Sequence, residues 1–281
     1  MLFIVNPISG KGKGKKAKLV KMLQSRGLNV AFTEYAGHAE VLAREATANV
    51  VVAVGGDGTV NEVARGLVGT DKALGIIPCG SGDGLARHLG IPHNVDKALA
   101  IIEKGNSRLM DAAKVNGRLF FSVCGVGFDA VVSEKFAKCG KRGLSNYVKL
   151  GLKTWMNYTP EQYTIEVDGE KVQTDAVFIT VGNSNQWGNG AKITPLADCF
   201  DGLLDVTIVD KFSFLEMPVQ ACRLMTGTVH KSRRVQCYTG KNIRIIRNEE
   251  GPAHADGDWF EAPKILDISV IPSALKVLVA Q

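Results

Sequence analysis

A run of five apolar residues, Val50 to Val54, ends abruptly at Gly55-Gly56-Asp57-Gly58-Thr59, and this junction restricts the fold more than any other stretch of the chain. The run is rich in β-branched residues and shows no polar alternation, as expected of a strand buried on both faces. Beyond Thr59, apolar residues at Val60, Val63, Ala64, Leu67 and Val68 keep the spacing of one helix face. The glycines therefore join a strand's carboxyl end to a helix's amino end, the place where α/β sheets bind ligands. Without a Cβ they let backbone N–H groups approach an anion, and the helix dipole favours phosphate. Asp57 would repel a bare anion but can hold a cation or accept a proton, so phosphate, metal and carboxylate belong together here.

The same design recurs on either side. Leu2 to Val5 reads as a first strand, followed by the polar, glycine-rich stretch Asn6 to Lys15 and a helix from about Lys16 to Arg26. That loop is similar to a phosphate cradle, yet no G-x-x-x-x-G-K-[ST] fits it, and Gly12-x-Gly14-x-x-Ala17 is only a loose dinucleotide fingerprint. Asn29 to Thr33 is the second strand, and a helix carrying Val41, Leu42 and Ala46 precedes the central strand. Ala73 to Ile77 is the fourth, ending at Pro78 and the turn Cys79-Gly80-Ser81-Gly82-Asp83-Gly84, with a helix from Leu85 to Leu89 beyond it. Ser81 can bond a phosphate or simply cap that helix. Another helix covers Val95 to Lys104, and strands alternating with helices to this point imply a parallel sheet.

From Arg108 the grammar changes to strands joined by hairpin signals such as Val115-Asn116-Gly117-Arg118 and Val167-Asp168-Gly169-Glu170. Only the segments near 129 to 137, 143 to 156 and 212 to 226 read as helical, which implies a mainly antiparallel second domain from about residue 112. Late in it, Asp256-Gly257-Asp258 offers two more carboxylates around a glycine, a pattern that an ordinary hairpin turn also shows.

A chain of 281 residues is long enough for one large or two ordinary domains, and 45% hydrophobic with 22% charged residues describes a soluble globular protein. No stretch approaches the roughly 18 apolar residues of a membrane span, and the opening residues read as a strand rather than a secretory leader. The six cysteines form no C-x-x-C pair, so neither zinc nor a disulfide framework is indicated and a reducing cytoplasm is expected. The net charge of +6 is unevenly spread: no acid precedes Glu34, and the segments 135 to 160 and 217 to 248 hold only cations. Such clusters suit anionic partners, namely nucleotide, an acidic lipid surface or nucleic acid. Nucleic acid is disfavoured, since no aromatic-rich basic sheet motif is present.

Taken together, the motifs resemble the diacylglycerol kinase catalytic superfamily, which includes the bacterial soluble lipid kinases and the sphingosine kinases. Asn6-Pro7-x-Ser9-Gly10 matches its opening motif, Gly55 to Glu62 its G-G-D-G-T-x-N-E signature, and Pro78-x-Gly80-Ser81-Gly82 its third nucleotide loop. Gly125-Val126-Gly127-Phe128-Asp129-Ala130 is similar to the family's G-x-G-[FL]-D-A, and Asp256-Gly257-Asp258 to its late D-G-[ED]. G-G-D-G-T is shared with NAD kinases and phosphofructokinases, whereas the opening motif and third loop are not. Two departures stand out. The third loop, Gly80-Ser81-Gly82-Asp83-Gly84-Leu85-Ala86-Arg87, leans toward the sphingosine and ceramide kinase branch, and Asp83 replaces the usual asparagine.

The resemblance implies a Rossmann-like α/β domain over 1–111, rejoined by about 272–281, and a β-sandwich domain over 112–271 on the lipid side of an ATP-binding cleft. By the same resemblance, nucleotide contacts fall on Asn6, Ser9, Gly10, Thr33, Gly55, Gly56, Asp57, Gly58, Thr59, Asn61, Glu62, Gly80, Ser81 and Gly82. A structural Mg²⁺ site falls on the side chain of Asp201 with the carbonyls of Asp198 and Leu203, an oxygen-rich set that suits a hard cation. The expected activity is ATP-dependent phosphorylation of a diacylglycerol or of a sphingoid or ceramide-type lipid. An NAD kinase-like enzyme and a catalytically weak lipid- or nucleotide-binding regulator are the rival readings.

Mg²⁺ is expected to associate with Asp57 and the Asp256/Asp258 pair. Either Asp57 or Asp258 suits the role of general base. Asp258 is preferred because a metal-bound carboxylate is a poor proton acceptor, with Asp256 helping to place it. The expected partners are a membrane lipid substrate and an anionic membrane surface, reached through the basic segment 135 to 156 with Leu144, Tyr147, Val148, Leu152 and Trp155. The protein is thus expected to be cytoplasmic and peripherally membrane-associated, and a homodimer is compatible with this reading.

Overall fold

In the computed structural model, which describes residues 1–8, 13–139 and 144–280, the chain divides into two compact units, Met1–Ala112 with Pro272–Gln281 and Ala113–Ile271. The first unit alternates β1 (Leu2–Val5), α1 (Lys13–Ser25), β2 (Asn29–Phe32), α2 (His38–Glu45), β3 (Val50–Gly55), α3 (Asp57–Leu67) and β4 (Ala73–Pro78). The short α4 (Gly84–His88), α5 (Val95–Lys104) and β5 (Ser107–Val115) complete it. Its strands lie in the order β2-β1-β3-β4, all parallel, with Val5 opposite both Phe32 and Val54 and with Gly55 opposite Pro78. Val51 to Val54 are fully buried, as the absence of alternation in that run requires. Each of the three valines contributes about 1.5 kcal/mol or more through burial. Helix α3 lays Val60, Val63, Ala64 and Leu67 against this core, in the 3.6-residue rhythm read from the sequence.

The second unit begins in the last residues of β5 and adds β6 (Arg118–Phe120), β7 (Val123–Gly127), α6 (Phe128–Lys138) and α7 (Leu144–Asn157). There follow β8 (Glu161–Val167), β9 (Glu170–Ala176), β10 (Phe178–Gly182), β11 (Leu204–Val209) and α8 (Met217–Thr226). The last strands are β12 (Val235–Gly240), β13 (Asn242–Arg247), β14 (Gly251–Ala255), β15 (Asp258–Ala262) and β16 (Ile265–Leu278). One antiparallel sheet runs β12-β11-β10-β7-β14-β15, and the start of β16 with β13, β8 and β9 forms the other. Alternate residues of both, among them Val126, Ile179 and Ile208 on one and Tyr163, Ile165 and Ile245 on the other, make a single buried core. That is the construction of a sandwich.

Two features exceed the sequence reading. Strand β16 runs unbroken from the sandwich into the first unit, where the expected return of the chain takes the form of Lys276 and Val277 pairing in parallel with Ala73 and Leu74. The helix expected over 212 to 226 is broken into a 3₁₀ turn, Phe214–Glu216, and α8, because Pro218 cannot continue a hydrogen-bonded helix from the residues before it.

Candidate functional site

In the first unit the carboxyl ends of all four leading strands bring the candidate residues to one edge. Asn6 follows β1 and donates its backbone N–H to the Val54 carbonyl (3.2 Å), while Thr33 follows β2 and donates to the Val5 carbonyl (3.0 Å). Gly55 and Gly56 end β3, and Cys79 donates to the Gly55 carbonyl (2.7 Å), which carries the turn after β4 alongside the turn after β3. Ser9 and Gly10 lie outside the described residues.

The two glycine turns touch. A Cβ on Gly80 would come within 2.8 Å of the Gly56 Cα and 2.5 Å of Asp83 Oδ1, so the second turn tolerates no side chain here. Asp57 fastens them: Oδ2 accepts the Asp83 N–H (2.8 Å) and Oδ1 the Gly84 N–H (2.6 Å). A Cβ on Gly82 would meet Asp57 Oδ2 at 2.6 Å, and Thr59 fills the space beside Gly55 in the same way. Above them the amino end of α3 has no side-chain cap, and Gly58 and Ser81 are exposed. Uncapped helix N–H groups, small residues and the dipole together make a cradle for phosphate.

Other expected nucleotide residues are engaged differently. Glu62 accepts the N–H groups of Gly37 (2.9 Å) and Ala39 (3.2 Å) and so caps the amino end of α2. Asn61 and Thr33 are buried, and the Asn6 side chain accepts the Ile8 N–H (3.0 Å), shaping the first loop.

Asp83 stands in the left-handed region (φ 46°), is only 2% exposed, and accepts the Gly80 N–H through Oδ1 (3.1 Å). Burial first, and the Asp57 carboxylate second, push its pKa up to about 6. His93 Nδ1 lies 3.4 Å from Oδ2, yet burial and Arg87 hold that imidazole below its ordinary pKa, so it does not neutralise the acid near pH 7. Because the folded value lies above the unfolded one, Asp83 weakens the fold progressively as pH rises from about 4 to 6, by up to roughly 3 kcal/mol. Asp83→Asn keeps the acceptor for Gly80 and removes the charge. Its Tm should exceed the parent's by several degrees at pH 8 and match it at pH 4, as followed by circular dichroism. A lower Tm at pH 8 would show that the charge is compensated.

In the second unit, Asp256 and Gly257 take positive φ (50° and 87°) at the β14–β15 turn, the geometry that Asp-Gly favours in a two-residue hairpin. The Asp256 carboxylate is occupied by the chain itself: Oδ2 accepts the Phe121 N–H (2.8 Å), and Oδ1 those of Ser122 (2.8 Å) and Val123 (3.1 Å). This gives Asp256 the task of anchoring the turn that carries Asp258, whose side chain stays exposed. The base of the hairpin is held by the buried Arg247, which donates to the carbonyls of Gly251 (2.6 Å), Pro252 (3.1 Å) and Ala262 (2.6 Å).

Neighbouring β14 is fixed by a second buried pair. His254 Nε2 lies 3.0 Å from Asp129 Oδ2, which also accepts the Thr180 hydroxyl (3.2 Å). Gly125 makes room for the pair, since a Cβ there would lie 2.6 Å from Asp129 and 2.8 Å from His254. In the sequence Asp129 is visible only as part of a motif, and His254 carries no motif of its own. Their partnership, across 125 residues, leaves no local signal.

At the proposed metal loop, Asp198 Oδ1 accepts the Phe200 N–H (3.1 Å), Asp201 Oδ1 accepts the Leu203 N–H (2.9 Å), and the Asp198 carbonyl accepts the Asp201 N–H (3.4 Å). Asp205, two residues beyond Leu203, was not anticipated. Burial, and after it the Asp201 carboxylate, raise its pKa to about 6. Two acids this close, beside a turn of carbonyls, fit a hard cation.

The chain matches two family models, the diacylglycerol kinase catalytic domain over residues 1–115 and the YegS C-terminal NAD kinase beta sandwich-like domain over 122–279. A diacylglycerol kinase of Mycobacterium tuberculosis is 31% identical over 98% of this chain and 93% of its own length. Among solved structures, a diacylglycerol kinase from Bacillus anthracis superposes with a TM-score of 0.75 at 23% identity, covering 99% of this chain and 96% of that one. An NAD kinase from Archaeoglobus fulgidus, solved in complex with ATP, reaches a TM-score of 0.56 at 14% identity over 99% and 93% of the two chains. At such identities the likeness of the two structures is one of fold.

Proposed function

This chain belongs to the diacylglycerol kinase family, and from that premise we propose that it transfers the terminal phosphoryl group of ATP to the hydroxyl of a diacylglycerol or a related sphingoid or ceramide lipid. The observation that carries the phosphate side is the Asp57 clasp, which holds two glycine turns against each other beneath the uncapped amino end of α3. Preorganised N–H groups need no rearrangement when charge develops on a transferring phosphoryl group, and positioning with charge neutralisation is most of what such a reaction requires.

Within this reading Gly56, Gly58, Thr59, Gly80, Ser81 and Gly82 bind phosphate oxygens, and Asn6, Ser9, Gly10 and Thr33 border the nucleotide. Glu62 acts at one remove, by fixing α2. Mg²⁺ accompanying the nucleotide would be held through the remaining lone pairs of Asp57, and when bound it neutralises phosphate charge. Asp258 accepts the proton of the acceptor hydroxyl, and Asp256 positions it through the three amides of residues 121 to 123. Incubating the protein with labelled ATP and dioctanoylglycerol, ceramide or sphingosine in mixed micelles tests the assignment. A labelled phospholipid from at least one acceptor is expected, and none from any would contradict it.

The Asp198–Leu203 loop is assigned a second, structural Mg²⁺, held by the Asp201 side chain and the carbonyls of Asp198 and Leu203, with Asp205 close by. Millimolar Mg²⁺ should then raise the Tm of the parent protein by a few degrees and leave that of Asp201→Asn unmoved, while the turnover of folded mutant stays within about tenfold. Unchanged stability with abolished turnover would instead make Asp201 catalytic.

Access to a lipid acceptor implies work at a bilayer, and among the described residues no helix is long and apolar enough to cross one. Peripheral contact through α7 is part of the proposal. Val148 (49%) and Leu152 (42%) are exposed beside Lys149 and Lys153, whereas Trp155 turns inward onto Phe128 and Phe212. Leu144 and Tyr147 fall outside the described side chains.

A further inference from the structure

Helix α8 is amphipathic in the wrong sense for a helix bathed in water. Its inner side sets Leu224 into the small cluster formed by Val123, Phe178 and Ile193. The outer side, at Pro218, Val219, Ala221, Cys222 and Met225, is exposed and carries no charge. The 3₁₀ turn before it continues this stripe with Phe214 (64% exposed) and Leu215 (88%), the most exposed large apolar side chain among the described residues. Surface helices ordinarily turn charged residues outward, and a contiguous apolar stripe marks a contact surface. The turn is not loose: Ser213 and Glu216 form a capping box, and Arg234 fastens Glu216 through two hydrogen bonds (3.0 and 3.2 Å). Phe214 and Leu215 are thus presented on a braced element.

The charge around the stripe selects its occupant. Glu216 is the only acid between Lys211 and Asn248, and its carboxylate is spent on Arg234 and the Ser213 N–H. The Arg234 guanidinium, foremost, holds its pKa down at about 2. Lys211, Lys231 and Arg233 remain exposed, and Lys192 lies at the carboxyl end of α8, where its N–H donates to the Leu224 carbonyl (2.9 Å). The nearby acids, Glu216 and Asp210, both face Arg234, and an apolar wedge flanked by the remaining cations is complementary to the headgroup region of an anionic bilayer, with the apolar residues entering the acyl boundary and the cations facing lipid phosphates. A second copy of the same face would bring like charges together.

We infer that the Phe214–Met225 face is the surface by which this protein seats itself on anionic membranes. It is separate from the α7 segment, though Phe212 packs at a tilt against Trp155 (4.4 Å between ring centroids) and so ties the two. The inference rests on the lipid kinase reading for its biological sense but not for its test. Sedimentation with vesicles of phosphatidylglycerol and phosphatidylcholine, containing no acceptor and no ATP, reads binding alone. The double variant Phe214→Glu, Leu215→Glu should lose at least tenfold in partition to anionic vesicles, and the parent should lose it in high salt or on pure phosphatidylcholine. Phosphorylation of micellar dioctanoylglycerol by the variant should match the parent. Both sites are solvent-facing, so an unchanged circular dichroism melt is expected. Undiminished partition of the folded variant would overturn the inference. So would a parent that is dimeric by light scattering and a variant that is monomeric yet still binds vesicles, since the face would then belong to a second copy. Absence of activity in both proteins alongside a partition difference would sink the kinase reading and leave the docking surface standing.

Discussion

Asp258→Asn is expected to lower kcat by about 10²- to 10⁴-fold, the usual loss when a general base is removed, while ATP affinity stays within a few fold of the parent. The expectation follows from a division of labour around the β14–β15 turn. Asp256 gives both oxygens to backbone amides, and Arg247 closes the base of the hairpin, so the turn keeps its shape when the exposed Asp258 is made neutral. Asparagine is isosteric and cannot take a proton near neutral pH. A pH–rate profile sharpens the test, because the acidic limb of kcat should vanish in the mutant. Collapse of the β14–β15 turn would lower kcat too, and an unaltered melt excludes that cause.

The second large effect belongs to Asp57. Its two oxygens accept the amides of Asp83 and Gly84, and an asparagine can accept only one of them while turning an N–H₂ toward the other. A hydrogen bond to a charged group contributes about 1.5–3 kcal/mol, and an unsatisfied buried donor costs about 1–3 kcal/mol. Asp57→Asn should therefore loosen the second glycine turn from the first, lower the Tm by several degrees, and weaken nucleotide binding at least about tenfold as measured by calorimetric titration. Asp258→Asn should show none of the binding loss. If nucleotide affinity instead collapses in Asp258→Asn and survives in Asp57→Asn, the two carboxylates have exchanged roles.

What could be read in the sequence was whatever depends on neighbours along the chain. The run Val50–Val54, the Gly-Gly-Asp-Gly turn and the periodicity from Val60 to Leu67 are local statements, and β3 and α3 fall where they placed them. The change from alternating strands and helices to hairpins likewise marks the passage from a parallel sheet to a sandwich. Long-range pairings left no such trace. Glu62 stands in the signature, and nothing local tells that it also caps α2, whose amino end lies 23 to 25 residues earlier. Asp256 reads as half of a carboxylate pair, and its bonds to amides 133 to 135 residues away give no local sign. Asp83 was visible as a substitution, yet its burial, and the raised pKa that follows, depend on how the two glycine turns meet. The outer face of α8 escaped notice because its apolar residues fit a helical rhythm equally well whichever side faces the core, and only packing tells which side that is.

The central claim is that this fold, which NAD kinases share, here serves a lipid acceptor. One competition decides it: labelled ATP and Mg²⁺ presented to the protein together with a total lipid extract, NAD and water. The account predicts label in a phospholipid, with little in NADP or inorganic phosphate. Label in NADP with none in lipid would contradict it.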